Sequence, residues 1–372
     1  MYLALREIRF AKTRYVMIVM IMLLISFLVL FVTGLAKGLA YANASSVKNM
    51  AASHFVLQKD SDHRFGRSQL TEEALTTART VVGDDKATPL NLRMATVTEK
   101  GMSLKSDVTL FAIDMTGWLA PKVVEGQGIA NDTQGQVLVD RKLKESGIQV
   151  GSTLIDQMTG ASWTVSGFVA NESYSHTPSV FMNEQDWLKL QSFTPVSGQD
   201  SSDKTYNAIA LKASEDQLAQ LRAKLPDSDI ISKSDTVSAV PGYKEEQGSL
   251  LMMIAFLYII SAMVLAVFFF VITIQKIGQF GILKAIGAKT GYLARNVIGQ
   301  VLLLSIGSLA VSLGLIRLMY EALPASMPFQ LDSSTILLSC SLFIITAVLG
   351  SLLSVYKVAR TDALDAIGRT AA

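Results

Sequence analysis

The spacing of the apolar runs constrains this chain more than any other feature. One uncharged run covers residues 15–36, a long polar segment follows, and three further runs lie close together at 250–274, 297–316 and 336–356. A helix needs roughly 20 apolar residues to cross a bilayer, because its backbone polar groups must pair within the segment. All four runs are long enough. The expected fold class is membrane α-helical, with four transmembrane helices in a one-plus-three order. A large α+β extracellular domain is inserted between helices 1 and 2. The expected divisions are an N-terminal amphipathic segment (1–14), a first span (15–39), the inserted domain with stalk helices (40–248), later spans at 250–274, 297–316 and 336–356, an intervening loop (276–295) and a tail (357–372).

Composition points the same way. Half the residues are hydrophobic, 17% are charged and the mean hydropathy is +0.37, too apolar for a soluble chain of 372 residues. A formal charge of +2 gives no electrostatic footprint for nucleic acid. Cys340, the single cysteine, lies in the last run as a packing residue and excludes a disulfide framework. A cleaved signal peptide is the competing reading of the N-terminus, with Ala40-Tyr41-Ala42 as the cleavage site. The apolar run exceeds the roughly 7–15 residues of a signal core.

Lys and Arg near span ends mark the cytoplasmic side. Arg6, Arg9, Lys12 and Arg14 precede the first span. Lys276, Lys284, Lys289 and Arg295 occupy the loop between the second and third, and Lys357 and Arg360 open the tail. Glu321 and Asp332 sit in the other short loop. Both termini are therefore expected in the cytoplasm of a multi-pass cell-membrane protein, with the insert outside.

Alternating or β-branched stretches predict strands at 54–58, 90–98, 108–113, 136–139, 152–155, 162–169, 179–182 and 207–211. Thr71-Glu72-Glu73-Ala74 and Ser214-Glu215-Asp216-Gln217 open helices, the second with a potential capping box, and a third helix falls near 183–190. This order suggests two small α+β lobes and not one large sheet. Residues 197–203 read as a polar linker. Residues 37–53 and 234–248 either extend the membrane helices as a stalk or are ordinary connecting loops.

Motifs of catalysis are scarce. Gly287-Ala288-Lys289-Thr290 lacks phosphate-loop spacing. His54, His63 and His176 are scattered without metal-ligand spacing, and no nucleophile elbow occurs. The spans carry no acid or base at mid-depth, which a proton- or ion-coupled transporter needs. No energy source is visible, and no catalytic residue is assigned.

The segment 276–289 places Ile277, Phe280, Ile282, Leu283 and Ile286 on a short helix rimmed by lysines. Such a helix either docks into a partner's groove or lies on the inner leaflet. Gln279-Phe280-Gly281-Ile282-Leu283-Lys284-Ala285-Ile286-Gly287-Ala288 closely resembles the coupling-helix signature of FtsX/MacB-type ABC transporter permeases. The tail 356–367 looks like their C-terminal motif, with Ala363 where a proline is common. Gly147–Leu154 with Trp163–Phe168 resembles the β-rich lobe of their external domain.

The resemblance covers the whole chain and implies a homodimer in membrane lipid, bound to two copies of a separate cytoplasmic ABC ATPase. That partner hydrolyses ATP, so this subunit has no enzymatic site and no intrinsic cofactor. Work would pass by mechanotransmission through Gln279, Phe280, Gly281, Leu283, Lys284 and Ile286. Gly34, Gly38, Gly299, Gly307, Gly314 and Ser305 permit close packing, either within a subunit or across the dimer. The opening residues 1–9 and the region 167–181 are similar to haem-efflux permeases of Gram-positive bacteria, which implies haem as substrate. Haem needs aromatic walls, an axial ligand and cations for its propionates. The candidates are Tyr174, His176, Tyr243, Glu245, Arg64 and Phe65. The alternative for each tyrosine is an exposed loop or membrane-interface residue. Antimicrobial-peptide or lipid efflux, an FtsX-like regulator of an external hydrolase, and a peptide-antibiotic sensor are the other functions in view. The third lacks the ten spans of its class, and the second has usually a smaller external domain.

Overall fold

The computed structural model describes residues 12–192, 204–323 and 327–360. It divides into two compact units, one of Leu39–Gln247 and one made of the flanking segments. The polar linker at 197–203, the opening residues 1–9 and the tail motif beyond Arg360 lie outside the described residues.

In the inserted unit, helix α1 (Lys12–Asn49) contributes its final turns, after non-helical backbone at Ala44. Strands β1 (His54–Gln58), β2 (Leu70–Thr71), β3 (Ala87–Glu99), β4 (Lys105–Ala112), β5 (Val123–Gly126), β6 (Gln136–Asp140) and β7 (Thr153–Asp156) follow in order. They are joined by β8 (Ser162–Val169), β9 (Ser173–Tyr174), β10 (Thr177–Met182), β11 (Thr205–Tyr206), β12 (Ala208–Leu211) and β13 (Ser228–Ser232). Helices α2 (Glu72–Val82), α3 (Glu184–Ser192), α4 (Glu215–Lys224) and α5 (Lys233–Ser238) lie between them. Thr71 Oγ1 caps α2 by accepting the Ala74 N–H at 3.4 Å, and Ser214 with Gln217 forms the capping box of α4.

The two lobes are not separate sheets, a correction to the expectation. The thirteen-residue β3 belongs to both. Its first residues pair with β12 in the antiparallel order β13-β1-β12-β3. Further along it pairs with β4 and β7, and β3-β4-β10-β6-β8-β7 returns to β3 as a closed ring of six strands. Period-two alternation then assigns each side chain to a core. Val56, Ile209 and Leu211 pack under α2 and α4. Val108, Leu110, Val137, Val139, Val180 and Met182 fill the ring. Phe55, Phe111, Leu138 and Phe181 point the other way, into a third cluster with Ala44 and Val47 of α1.

The second unit holds the membrane helices, α1, α6 (Tyr243–Gln275), α8 (Thr290–Tyr320) and α9 (Ser333–Arg360), with the short α7 (Ile277–Ala285) between α6 and α8. Each helix exceeds its apolar run because helical hydrogen bonding continues through polar flanks. Helix α1 runs on to Asn49, with non-helical backbone at Ala44, and α6 begins at Tyr243. Ile18, Met22 and Leu30 of α1 pack with Leu265 and Phe269 of α6, Val301 of α8 and Phe343 of α9. Some polar side chains pair between or within the helices, as a bilayer favours. The Ser26 and Ser312 hydroxyls lie 2.6 Å apart, and the Tyr258 hydroxyl donates to the Ser339 carbonyl at 3.2 Å.

Of the small residues expected at close contacts, Gly34 and Gly38 serve within the chain. Residues 327–331 meet α1 there, and the Gln330 N–H donates to the Gly34 carbonyl at 3.0 Å. A Cβ on Gly38 would fall on the Pro328 carbonyl, and one on Gly34 on the Phe329 ring. Gly299, Gly307 and Gly314 meet no such neighbour.

Candidate functional site

Two regions carry the residues singled out by sequence. The first is α7. Its N-cap is Lys276, and it ends at Ile286, where Gly287 takes a φ of +97°. The Ala288 N–H then donates to the Leu283 carbonyl at 2.9 Å and the Gly287 N–H to the Lys284 carbonyl at 3.0 Å. This pattern is a Schellman cap, and it accounts for the glycine that superficially suggested a phosphate loop.

The candidate coupling residues divide by role. Phe280 is 3% exposed and, beside buried Gly281, packs on Leu293, Val297 and Val358; Leu283 packs partly against the same cluster. Lys284 Nζ donates to the Ala359 carbonyl at 3.1 Å. These four fix the helix to its own unit. Gln279 is exposed, Ile286 is 76% exposed, and Ile282 is 52% exposed. The outward face is therefore apolar at Ile282 and Ile286. Ile282 belongs with the candidates, and helical spacing from Ile286 was the signal for it.

The second region lies in the inserted unit. Tyr174, expected on a polar loop, is buried instead (3% exposed) because β9 turns it into the third core cluster. Its ring stacks on Phe65 with centroids 6.3 Å apart and meets Phe111 edge-on at 5.9 Å. Burial pushes its phenol far above the ordinary range, with Arg64 opposing. Phe65, also buried, stands in a short 3-10 turn and contacts Phe55 at 5.3 Å. Tyr243 is half-buried at the start of α6, with Lys48 Nζ 4.9 Å above its ring. An open groove of about 620 Å³ is lined by Arg64 and Glu245, with Asp62, His63, Asp235 and Lys244.

His176 is not among the residues lining that groove. Its Nε2 lies 3.0 Å from Glu246 Oε2, which also accepts the Asn43 amide at 2.6 Å. Ser175 and His176 both have positive φ, and the Ser175 N–H donates to the Asn43 carbonyl at 2.7 Å. Phe65 and Tyr174 are thus stacked in one core cluster against which Tyr243 packs, Arg64 and Glu245 line the groove, and His176 serves a separate contact. Helical geometry aims the adjacent Glu245 and Glu246 about 100° apart, so one lines the groove while the other meets Asn43 and His176.

The chain thus joins a helical membrane unit, with a short helix between its second and third spans, to a β-rich insert after the first. The FtsX-like permease C-terminal profile matches residues 251–363. A "Putative hemin transport system permease protein HrtB" of Staphylococcus haemolyticus is 30% identical over 372 residues, covering 99% of each chain. Its namesake in Staphylococcus epidermidis is 30% identical over 371 residues, again with 99% of each chain covered. The periplasmic region of MacB from Actinobacillus actinomycetemcomitans is similar at 13% identity and a TM-score of 0.35, over 50% of this chain and 91% of that one. The extracellular domain of YknZ from Gram-positive bacteria is similar at 14% identity and a TM-score of 0.35, over 48% and 100%. The chain belongs to the FtsX-like permease family.

Proposed function

We propose that this chain is the permease subunit of an ABC exporter that expels haem from the membrane, driven by a separate ATPase. The observation that carries the reading is full-length identity to permeases named for hemin transport. The apolar face of Ile282 and Ile286, with Gln279 beside it, is the contact for the ATPase. Phe280, Gly281, Leu283 and Lys284 hold that face in place. The working unit is a homodimer with two ATPase copies, and basic residues near the span ends support a cytoplasmic position for both termini and α7.

Haem is the cargo. Tyr243 and Glu245 offer oxygen ligands at the start of α6, and Arg64, which lines the groove with Glu245, offers a cation for a propionate. His176 Nε2 is held by Glu246 and is available as a ligand only if that contact opens. Growth of a deletion strain across haemin and peptide-antibiotic gradients tests the reading. Selective haemin sensitivity is expected. Unchanged haemin tolerance with altered peptide tolerance would favour peptide efflux, and no change with any compound would favour a regulator of an external hydrolase.

A further inference from the structure

The last turns of α1 end in a polar socket that none of the residues above uses. Past the irregular backbone at Ala44, Ser45 Oγ accepts the Ser173 N–H at 2.9 Å and Ser46 Oγ lies 2.8 Å from Ser179 Oγ. Asn49 Nδ2 donates to the Asn171 carbonyl and to Glu172 Oε1, each at 3.0 Å, while Tyr41 donates to Asn49 Oδ1 at 2.7 Å. Two carboxyl groups are buried here: Glu172 is 7% exposed and Asp140 is 1% exposed. They are linked through the backbone, since Asp140 Oδ2 accepts the Glu172 N–H at 2.6 Å and Oδ1 the Lys142 N–H at 2.9 Å.

Charge in this socket is poorly matched. Lys142 Nζ donates to Ser173 Oγ at 2.9 Å, and among the described residues it forms no ion pair within 4.0 Å with either carboxyl group. Arg141 is exposed and acts on Asp140, and Glu145 acts on Lys142. On the α1 side, Tyr41 faces both acids, and Lys48 stands over the Tyr41 and Tyr243 rings. Along the same hairpin, His176 is engaged with Glu246. Asp140 accepts two backbone N–H groups, whereas the Glu172 carboxyl meets only amide and hydroxyl partners. A carboxylate buried among neutral amide and hydroxyl partners is costly to keep ionised, so a proton belongs on Glu172.

We propose that Glu172 is a proton-binding site built against the end of α1, and that the helix end seats fully in its socket only when that proton is bound. Burial above all raises the Glu172 carboxyl from its usual range to about 8; Asn49 and Ser46 oppose the rise and the Asp140 charge adds to it. In the unseated state the carboxyl regains water and its ordinary affinity. Seating therefore takes up a proton. Its stability is full below the ordinary carboxyl range and declines as pH rises toward about 8.

Hydrogen exchange on the full-length chain in lipid nanodiscs tests this, read as protection factors for the amides of residues 45–49. Protection should fall by about tenfold per pH unit between about pH 6 and 7.5, and Glu172→Gln should abolish that slope while keeping high protection. The same slope in both proteins, or no slope in the native chain, overturns the proposal. Infrared titration of the native chain gives a reading that does not depend on how the variant folds. A protonated carboxyl band must persist at neutral pH and vanish above about pH 9. Its absence at neutral pH also overturns the proposal.

Discussion

The Asn43 amide and the Glu246 carboxylate meet at 2.6 Å across 203 positions of sequence, tying the end of α1 to the beginning of α6. Asn43 is 1% exposed, and its own Oδ1 has no partner. Glu246→Ala would leave the amide donor buried and unpaired as well. The expected cost is about 1–3 kcal/mol, seen as a lower denaturation midpoint of the full chain. Glu246→Gln, which keeps an acceptor, should lose less than half of that.

Phe280 and Ile286 separate support from contact on α7. Phe280→Asp puts a charge among Leu293, Val297 and Val358, so loss of folded protein is expected before any uncoupling. Ile286→Asp changes a side chain that is 76% exposed. Its melting temperature should stay within about 2 °C of wild type, while co-purification of the ATPase drops. Normal ATPase retention by Ile286→Asp would remove this face from the coupling contact.

Gly38 tests the contact of residues 327–331 with α1. Gly38→Ala drives a methyl group into the Pro328 carbonyl and should destabilise the membrane unit by about 1–3 kcal/mol. Gly307→Ala has open space around it and should cost nothing within the chain. Detergent thermal stability of the two variants gives the comparison, and equal midpoints would contradict it.

Tyr174 and Tyr243 should behave differently in a haem titration. Tyr174→Ala empties a buried aromatic stack and is expected to cost about 3–5 kcal/mol, so its haem effect follows from unfolding. Tyr243→Ala should weaken haem absorbance changes by tenfold or more while the domain stays folded. An unchanged titration for a folded Tyr243→Ala protein removes that residue from the site.

Much of this fold was legible because two periodicities are strong. The four membrane helices follow from apolar length, and β1 and β8 were bounded to the residue by alternation and turn chemistry. The capping residues Thr71 and Ser214 announced α2 and α4. Strand β13 was hidden because Ser228-Asp229-Ile230-Ile231-Ser232 is short and polar at both ends. The closure of the six-stranded ring was also hidden, since it depends on β3 pairing beyond its neighbours, a long-range property with no local signal. The site was less legible than the fold. Tyr174 and His176 lie two positions apart, yet left-handed backbone at Ser175 and His176 sends one into the core and the other to Glu246. Glu172 sits in a stretch of polar residues that gives no hint of its burial.

Reconstitution tests the central claim most directly. Vesicles holding this chain alone, and vesicles holding it with its ATPase, are loaded with haemin, and movement against a gradient is followed by absorbance. The account predicts no uphill movement by the chain alone and ATP-dependent movement by the pair. Uphill transport by the chain alone, with no ATPase present, would contradict it.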